Sequence, residues 1–165
     1  MAISKGDTLP EATLVELTGE GPKQVSLASR LKGRNVVIFA LPGAFTGTCT
    51  TAHVPSFIRT ADQFKASGVD EIICLSVNDP FVMGAWDQQT GAGKAGIAML
   101  ADPAAEFTKA VGMDFSAPPV GLIDRSKRYA MYVQDGTVSV IQAEANPGQC
   151  DLSGGESMLD AIKAP

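Results

Sequence analysis

The residues of this 165-residue chain best placed to do chemistry lie in one stretch, Pro42-Gly43-Ala44-Phe45-Thr46-Gly47-Thr48-Cys49-Thr50. An apolar run, Val36-Val37-Ile38-Phe39-Ala40-Leu41, precedes it and predicts a buried strand entered from the turn residues Gly33-Arg34-Asn35. In the segment that follows, Val54, Phe57, Ile58 and Ala61 recur at the spacing of one face of an amphipathic helix. Cys49 therefore falls where a strand ends and a helix begins. The orphan amides and partial positive charge of a helix N-terminus favour an anion there, which for a cysteine is the thiolate. Thr46 could place a hydroxyl beside the sulfur or its substrate, and Pro42 would rigidify the turn that aims both. The alternative is a small buried hydrophobe, the usual fate of a free cysteine.

The other chemistry-bearing residues are few. Cys49, Cys74 and Cys150 are three cysteines, an odd number with no framework spacing. That fits a reducing compartment, with the cytoplasm expected, better than a disulfide-stapled secreted scaffold. With a single histidine and no Cys-x-x-Cys pair, a zinc site has little to build with. Thirteen basic residues against 18 acidic ones give a net charge of −5, which argues against a nucleic-acid or anionic-membrane surface. No run approaches the roughly 20 apolar residues of a membrane span, and Met1–Asp7 has no apolar signal core, so export is not expected.

The elements that must position these residues are read from periodicity and turn chemistry. Residues 12–17 and 24–27 suggest an N-terminal hairpin turning at Thr18-Gly19-Glu20-Gly21-Pro22, with a short helical turn from Ser26 or Ser29 closed by Gly33. Pro55 interrupts the helix after Cys49: either the helix kinks, or the cysteine occupies a first turn that can unwind separately. Glu71–Val77 predicts a second buried strand, with Cys74 as an ordinary core thiol. Asn78-Asp79-Pro80 opens a helix that presents Phe81, Val82, Ala85 and Trp86. Residues 90–96 read as a mobile surface loop, since the Walker spacing is absent around Lys94. A short strand at 97–100 leads to a helix over 104–111 with Asp102 as cap and Pro103 first, and residues 115–119 read as an irregular connection. A hairpin over 129–141 turns at Asp135-Gly136, and a helix over 153–162 closes the chain. Strands alternating with helices, plus a terminal hairpin, imply one α/β domain over residues 1–165 with a mixed sheet covered by helices.

The spacing Pro42-x-x-x-Thr46-x-x-Cys49 resembles the active-site signature of the peroxiredoxins. The wider Pro42-Gly43-Ala44-Phe45-Thr46, followed by His53 and Pro55, is similar to the Prx5, or type II, subfamily. Further similarity lies in Ser76–Met83 with Trp86, in Leu100-Ala101-Asp102 and in Arg125–Met131, so the likeness spans about Gly6 to Ile162. The resemblance implies a thioredoxin-like fold with an N-terminal hairpin extension and a thiol peroxidase. It implies Cys49 as peroxidatic nucleophile, Pro42 and Thr46 shaping its pocket, and the backbone N–H groups of Thr48 and Cys49 as donors to the peroxide beside Phe45. It selects Arg128 from the basic cluster Arg125-Ser126-Lys127-Arg128, which alone would read as surface. It implies no metal or organic cofactor, a thiol reductant such as glutaredoxin, glutathione or thioredoxin, and a homodimer with Phe45 and the Trp86 region at the contact. Cys150, in Asn146-Pro147-Gly148-Gln149-Cys150-Asp151, stands in the region where some Prx5-type proteins carry a resolving cysteine, while others have none. Gly47, Thr50 and Ser56 depart from the subfamily's usual proline, serine and glycine. His53 is expected to make a structural hydrogen bond or interface contact rather than to act as a base.

Two other functions compete. A disulfide reductase would need a second cysteine in Cys49-Thr50-Thr51-Ala52, which lacks it. A redox sensor that changes its binding surface on oxidation would need an effector segment that nothing in the chain supplies.

Overall fold

Every side chain from Val36 to Leu41 is buried because the strand that carries them is covered on both faces. Val37, Phe39 and Leu41 enter one apolar cluster while Val36, Ile38 and Ala40 enter a second, the two-residue alternation of an extended chain. In the computed structural model, which describes residues 1–164, the strands are β1 Thr13–Thr18, β2 Gly21–Ser26, β3 Asn35–Leu41, β4 Glu71–Ser76, β5 Ile97–Ala101, β6 Asp114–Ala117, β7 Leu122–Ser126, β8 Tyr129–Gln134 and β9 Thr137–Ala143. The α-helices are α1 Leu27–Leu31, α2 Val54–Ala66, α3 Pro80–Thr90, α4 Glu106–Ala110 and α5 Gly155–Lys163.

Seven strands form one sheet in the order β2-β1-β5-β4-β3-β8-β9. β3, β4 and β5 run parallel, while β8 joins β3 and β1 joins β5 in the antiparallel sense. The expected mixed sheet flanked by helices is present, with the β1–β2 hairpin at its edge. Buried side chains of α2, α3 and α5 pack with one face, and those of α1 and α4 with the other. On the first face Phe57 of α2 stacks on Phe39 at 4.0 Å between ring centroids, which fixes α2 over the strand that delivers the Pro42–Cys49 stretch.

Four expectations change. The helix foreseen from Pro103 begins at Glu106, because Ala105 takes a left-handed turn with φ 57°. Asp102 still caps it, accepting the amide and hydroxyl of Thr108 at 2.9 and 2.8 Å, but from upstream of that turn. Residues 114–117 are a strand paired with β7 in a separate two-stranded sheet, hidden in the sequence by the prolines that follow it. Residues 90–96 form a built turn: the Asp87 carboxylate accepts the Gly93 amide at 2.6 Å and Ala92 is buried. On α3 the buried side is Pro80, Met83 and Trp86, and Phe81 is 62% exposed.

Candidate active site

The strand β3 hands the chain to a turn pinned at Pro42, Ala44 and Thr46. The Pro42 carbonyl accepts Arg125 Nη1 at 3.1 Å, the Ala44 amide donates to Asn78 Oδ1 at 3.0 Å, and the Thr46 hydroxyl donates to the Gly43 carbonyl at 2.7 Å. Phe45 sits at φ 64°, a conformation that costs a non-glycine residue free energy and that the surrounding bonds must hold. The first helical bond runs from the Thr50 amide to the Thr46 carbonyl at 3.1 Å. The amides of Thr48 and Cys49 precede that ladder and meet no acceptor among the described residues, so two donors stand open beside the sulfur.

Cys49 begins a π-helical turn, Cys49–His53, that closes with the Val54 amide on the Cys49 carbonyl. Pro55 explains it: a proline has no amide to bond the residue four back and its ring collides with that carbonyl. The wider turn moves the carbonyl away, and α2 starts cleanly with Pro55 in its first turn. The sequence offered a kink or a separable first turn; the structure shows a first turn of different pitch.

The Cys49 sulfur is fully buried and accepts Arg128 Nη2 at 3.1 Å. Arg128, only 2% exposed, also bonds the Pro147 carbonyl through Nε and Nη2 at 3.1 and 3.0 Å. Its Nη1 donates to His53 Nδ1 at 2.9 Å, which leaves His53 Nε2–H to donate to the Ser153 carbonyl at 2.9 Å. No carboxylate pairs with this guanidinium among the described residues. A buried, permanently charged group without a carboxylate partner is placed to hold negative charge that develops at the atom it faces, and that atom is Cys49 Sγ.

Burial first, and the Arg128 charge second, push His53 down from 6.5 to about 3, so it is a neutral connector. This has a consequence for stability. Between those two values the unfolded chain binds a proton that the folded chain refuses, so His53 makes stability fall as pH drops below about 6.5. Equilibrium unfolding of the wild type and of His53→Gln across pH 7 to 4 is expected to differ by a slope approaching about 1.4 kcal/mol per unit, steeper in the wild type.

The remaining expected residues are placed as follows. Thr46 spends its hydroxyl proton on Gly43, not on the sulfur, and keeps its lone pairs free to accept. Phe45 is 48% exposed and lies against Trp86, with ring centroids 6.5 Å apart. Trp86 itself is fully buried and donates Nε1 to Thr50 Oγ1 at 3.1 Å, so the exposed rings of that region are those of Phe45 and Phe81. Cys74 is fully buried opposite Phe39 in the sheet, and burial holds its thiol well above the usual range. Cys150 is half-buried and its thiol is also raised, chiefly by burial. It lies on the loop after β9, whose carbonyls at Pro147, Gly148 and Ser153 hold Arg128, Thr48 and His53. All three cysteines are free. Ser56 bonds the His53 carbonyl at 2.6 Å and accepts the Gly155 amide at 2.8 Å, tying α5 to the Cys49 turn. The sequence marked Arg125 only as part of a basic cluster and Asn78 only as part of a helix start, and no pattern marks the Pro147 carbonyl as the anchor of Arg128.

Residues 4–159 match the Redoxin family. Peroxiredoxin-2E-2, chloroplastic, of Oryza sativa subsp. japonica is 46% identical over 164 residues, covering 97% of this chain and 72% of that protein. Peroxiredoxin-2C of the same plant is 43% identical over 161 residues, covering 97% and 98% respectively. Reduced Prx3 from Vibrio vulnificus in complex with H2O2 superimposes with a TM-score of 0.91 at 45% identity, covering 98% of this chain and 99% of that one. The arrangement of sheet and helices is thus the thioredoxin-like one. With a cysteine at the head of a helix facing a buried arginine, the chain belongs to the redoxin family and, within it, to the type II peroxiredoxins, which are thiol-dependent peroxidases.

Proposed function

We propose that Cys49 is the peroxidatic nucleophile and that it reduces hydrogen peroxide and organic hydroperoxides. The observation that carries this reading is the uncompensated Arg128 guanidinium bonded to Cys49 Sγ at 3.1 Å, with the open amides of Thr48 and Cys49 on the same turn. The thiolate attacks one peroxide oxygen, the O–O bond breaks, and the electron pair leaves with the distal oxygen, which takes up a proton as water or an alcohol. Arg128 and the two amides hold the charge that develops on the oxygens. Thr46 accepts the peroxide's hydrogen bond because its own proton is already committed to Gly43. Pro42 shapes the turn, Phe45 flanks the entrance, and the cycle uses no metal or organic cofactor.

The product on Cys49 is a sulfenic acid. A thiol condenses with it to a mixed disulfide and releases water, and a second thiol frees Cys49. That thiol is external: glutathione, glutaredoxin or thioredoxin. Two features support this. The Cys150 thiol is raised by burial, and its loop is fastened to the site by bonds to Arg128, Thr48 and His53. Turnover with glutathione and glutaredoxin, and separately with a thioredoxin system, distinguishes the cases. Cys150→Ser is expected to retain turnover with at least one of these donors, whereas loss of turnover with all of them, at an unchanged rate of first oxidation, would make Cys150 the resolving thiol.

The whole chain acts as one domain, as a homodimer in a reducing compartment such as the cytoplasm. The exposed rings of Phe45 and Phe81, at 48% and 62% exposure, support an apolar contact with a second copy. No helix among the described residues is long and apolar enough to cross a membrane.

A further inference from the structure

Building on the proposed peroxidase chemistry, we infer that Arg125 is a second arginine of the site, a positioning residue that sets the Pro42–Thr46 turn without touching the sulfur. Its guanidinium donates Nη1 to the Pro42 carbonyl at 3.1 Å. The same Nη1 also presses end-on against Gly43: a Cβ built there would fall 2.4 Å from Nη1 and 3.7 Å from Cζ. The missing side chain of Gly43 therefore leaves the room that Nη1 occupies. The next group along is the Gly43 carbonyl, which accepts both the hydroxyl and the amide of Thr46, at 2.7 and 3.4 Å. Arg125 thus fixes the peptide that enters Gly43, and the peptide that leaves it directs the Thr46 lone pairs.

The arm that presents Arg125 is itself constrained. β6 and β7 stand apart from the main sheet, with Phe115 opposite Arg125. The preceding residue, Asp124, is held at φ 48°, its amide donating to Ser116 Oγ at 2.9 Å and its carboxylate meeting Lys109 Nζ at 3.0 Å. A left-handed non-glycine residue beside a functional turn is the kind of local strain that aims a side chain. Lysine would be a poor substitute, because an ammonium on a flexible stem can bond the Pro42 carbonyl but lacks the rigid fork that holds Nη1 against Gly43.

The test is single-turnover oxidation of Cys49 by hydrogen peroxide in the full-length protein, for the wild type, Arg125→Met, Arg125→Lys, Gly43→Ala and the Gly43→Ala/Arg125→Met double variant. Rates are normalised to folded protein and followed across pH. Misdirected positioning groups cost about tenfold or more in rate, so Arg125→Met is expected to slow oxidation about tenfold, with Arg125→Lys in between. The methyl group of Gly43→Ala displaces the guanidinium, so this variant is expected to behave like Arg125→Met and to add little in the double variant. The pH midpoint of the reaction is expected to stay that of the wild type, since Arg128 and Cys49 are untouched. A wild-type rate in Arg125→Met, a multiplicative double variant, or a displaced pH midpoint would each overturn the assignment. A wild type whose Cys49 does not react at all would instead bring down the peroxidase reading on which it rests.

Discussion

Cys49→Ser is expected to bring peroxide consumption down to the buffer background while leaving the fold intact. A serine hydroxyl fits the fully buried position and can still accept from Arg128, so the loss would come from chemistry and not from packing. A hydroxyl is a far weaker nucleophile than a thiolate at neutral pH, and no general base stands by to activate it. The one histidine of the turn has Nδ1 engaged by Arg128 and its other nitrogen donating to Ser153. Cys74→Ser and Cys150→Ser are expected to keep stoichiometric oxidation of Cys49, because burial holds both thiols above the usual range and neither takes part in the first step. Peroxide consumption by each purified variant, measured with one equivalent of oxidant and no recycling thiol, checks all three.

Arg128→Met is expected to lower the rate of that first step by about 10²–10³-fold, the usual loss when one preorganised transition-state donor is removed. Methionine keeps most of the volume and deletes the charge. The effect goes beyond the single contact at 3.1 Å to the sulfur. The same guanidinium carries both bonds to Pro147 and the bond to His53, so its removal also releases the loop that closes over the Cys49 turn. Arg128→Lys retains a charge but loses the planar fork that bonds three partners at once, and is expected to recover only part of the rate. Rapid-mixing kinetics on the three proteins decide this, and a lysine variant as fast as the wild type would mean that charge alone suffices.

The parts of this molecule that could be read in the sequence are those where a local pattern has one physical solution. Val36–Leu41 could hardly be anything but a covered strand, and Asp135-Gly136 between apolar runs could hardly be anything but a hairpin turn. The Ser26 and Asp79 caps follow from side chains that satisfy orphan amides. Pro42, Thr46 and Cys49 were found through their spacing, and Arg128 only through resemblance, because an arginine in a basic run looks like surface until the fold buries it. What stayed hidden depends on contacts made over long separations. The Pro147 carbonyl that anchors Arg128, and the Asn78 amide that pins Ala44, leave no trace in spacing. Arg125 was passed over for the same reason, and the helix capped by Asp102 starts later than expected because the cap acts across a left-handed residue that propensity does not foresee. The π-helical turn at Cys49–His53 was half-visible: Pro55 announced a disturbance without saying that it would be a change of pitch.

The most direct test of the central claim is the intact mass of the wild-type protein, quenched within seconds of one equivalent of hydrogen peroxide, with peptide mapping to locate the change. A gain of about 16 mass units on Cys49, or its capture by a sulfenic-acid reagent, is expected, absent in Cys49→Ser and retained in Cys150→Ser. No modification of Cys49 while peroxide persists, or oxidation confined to Cys74 or Cys150, would contradict it.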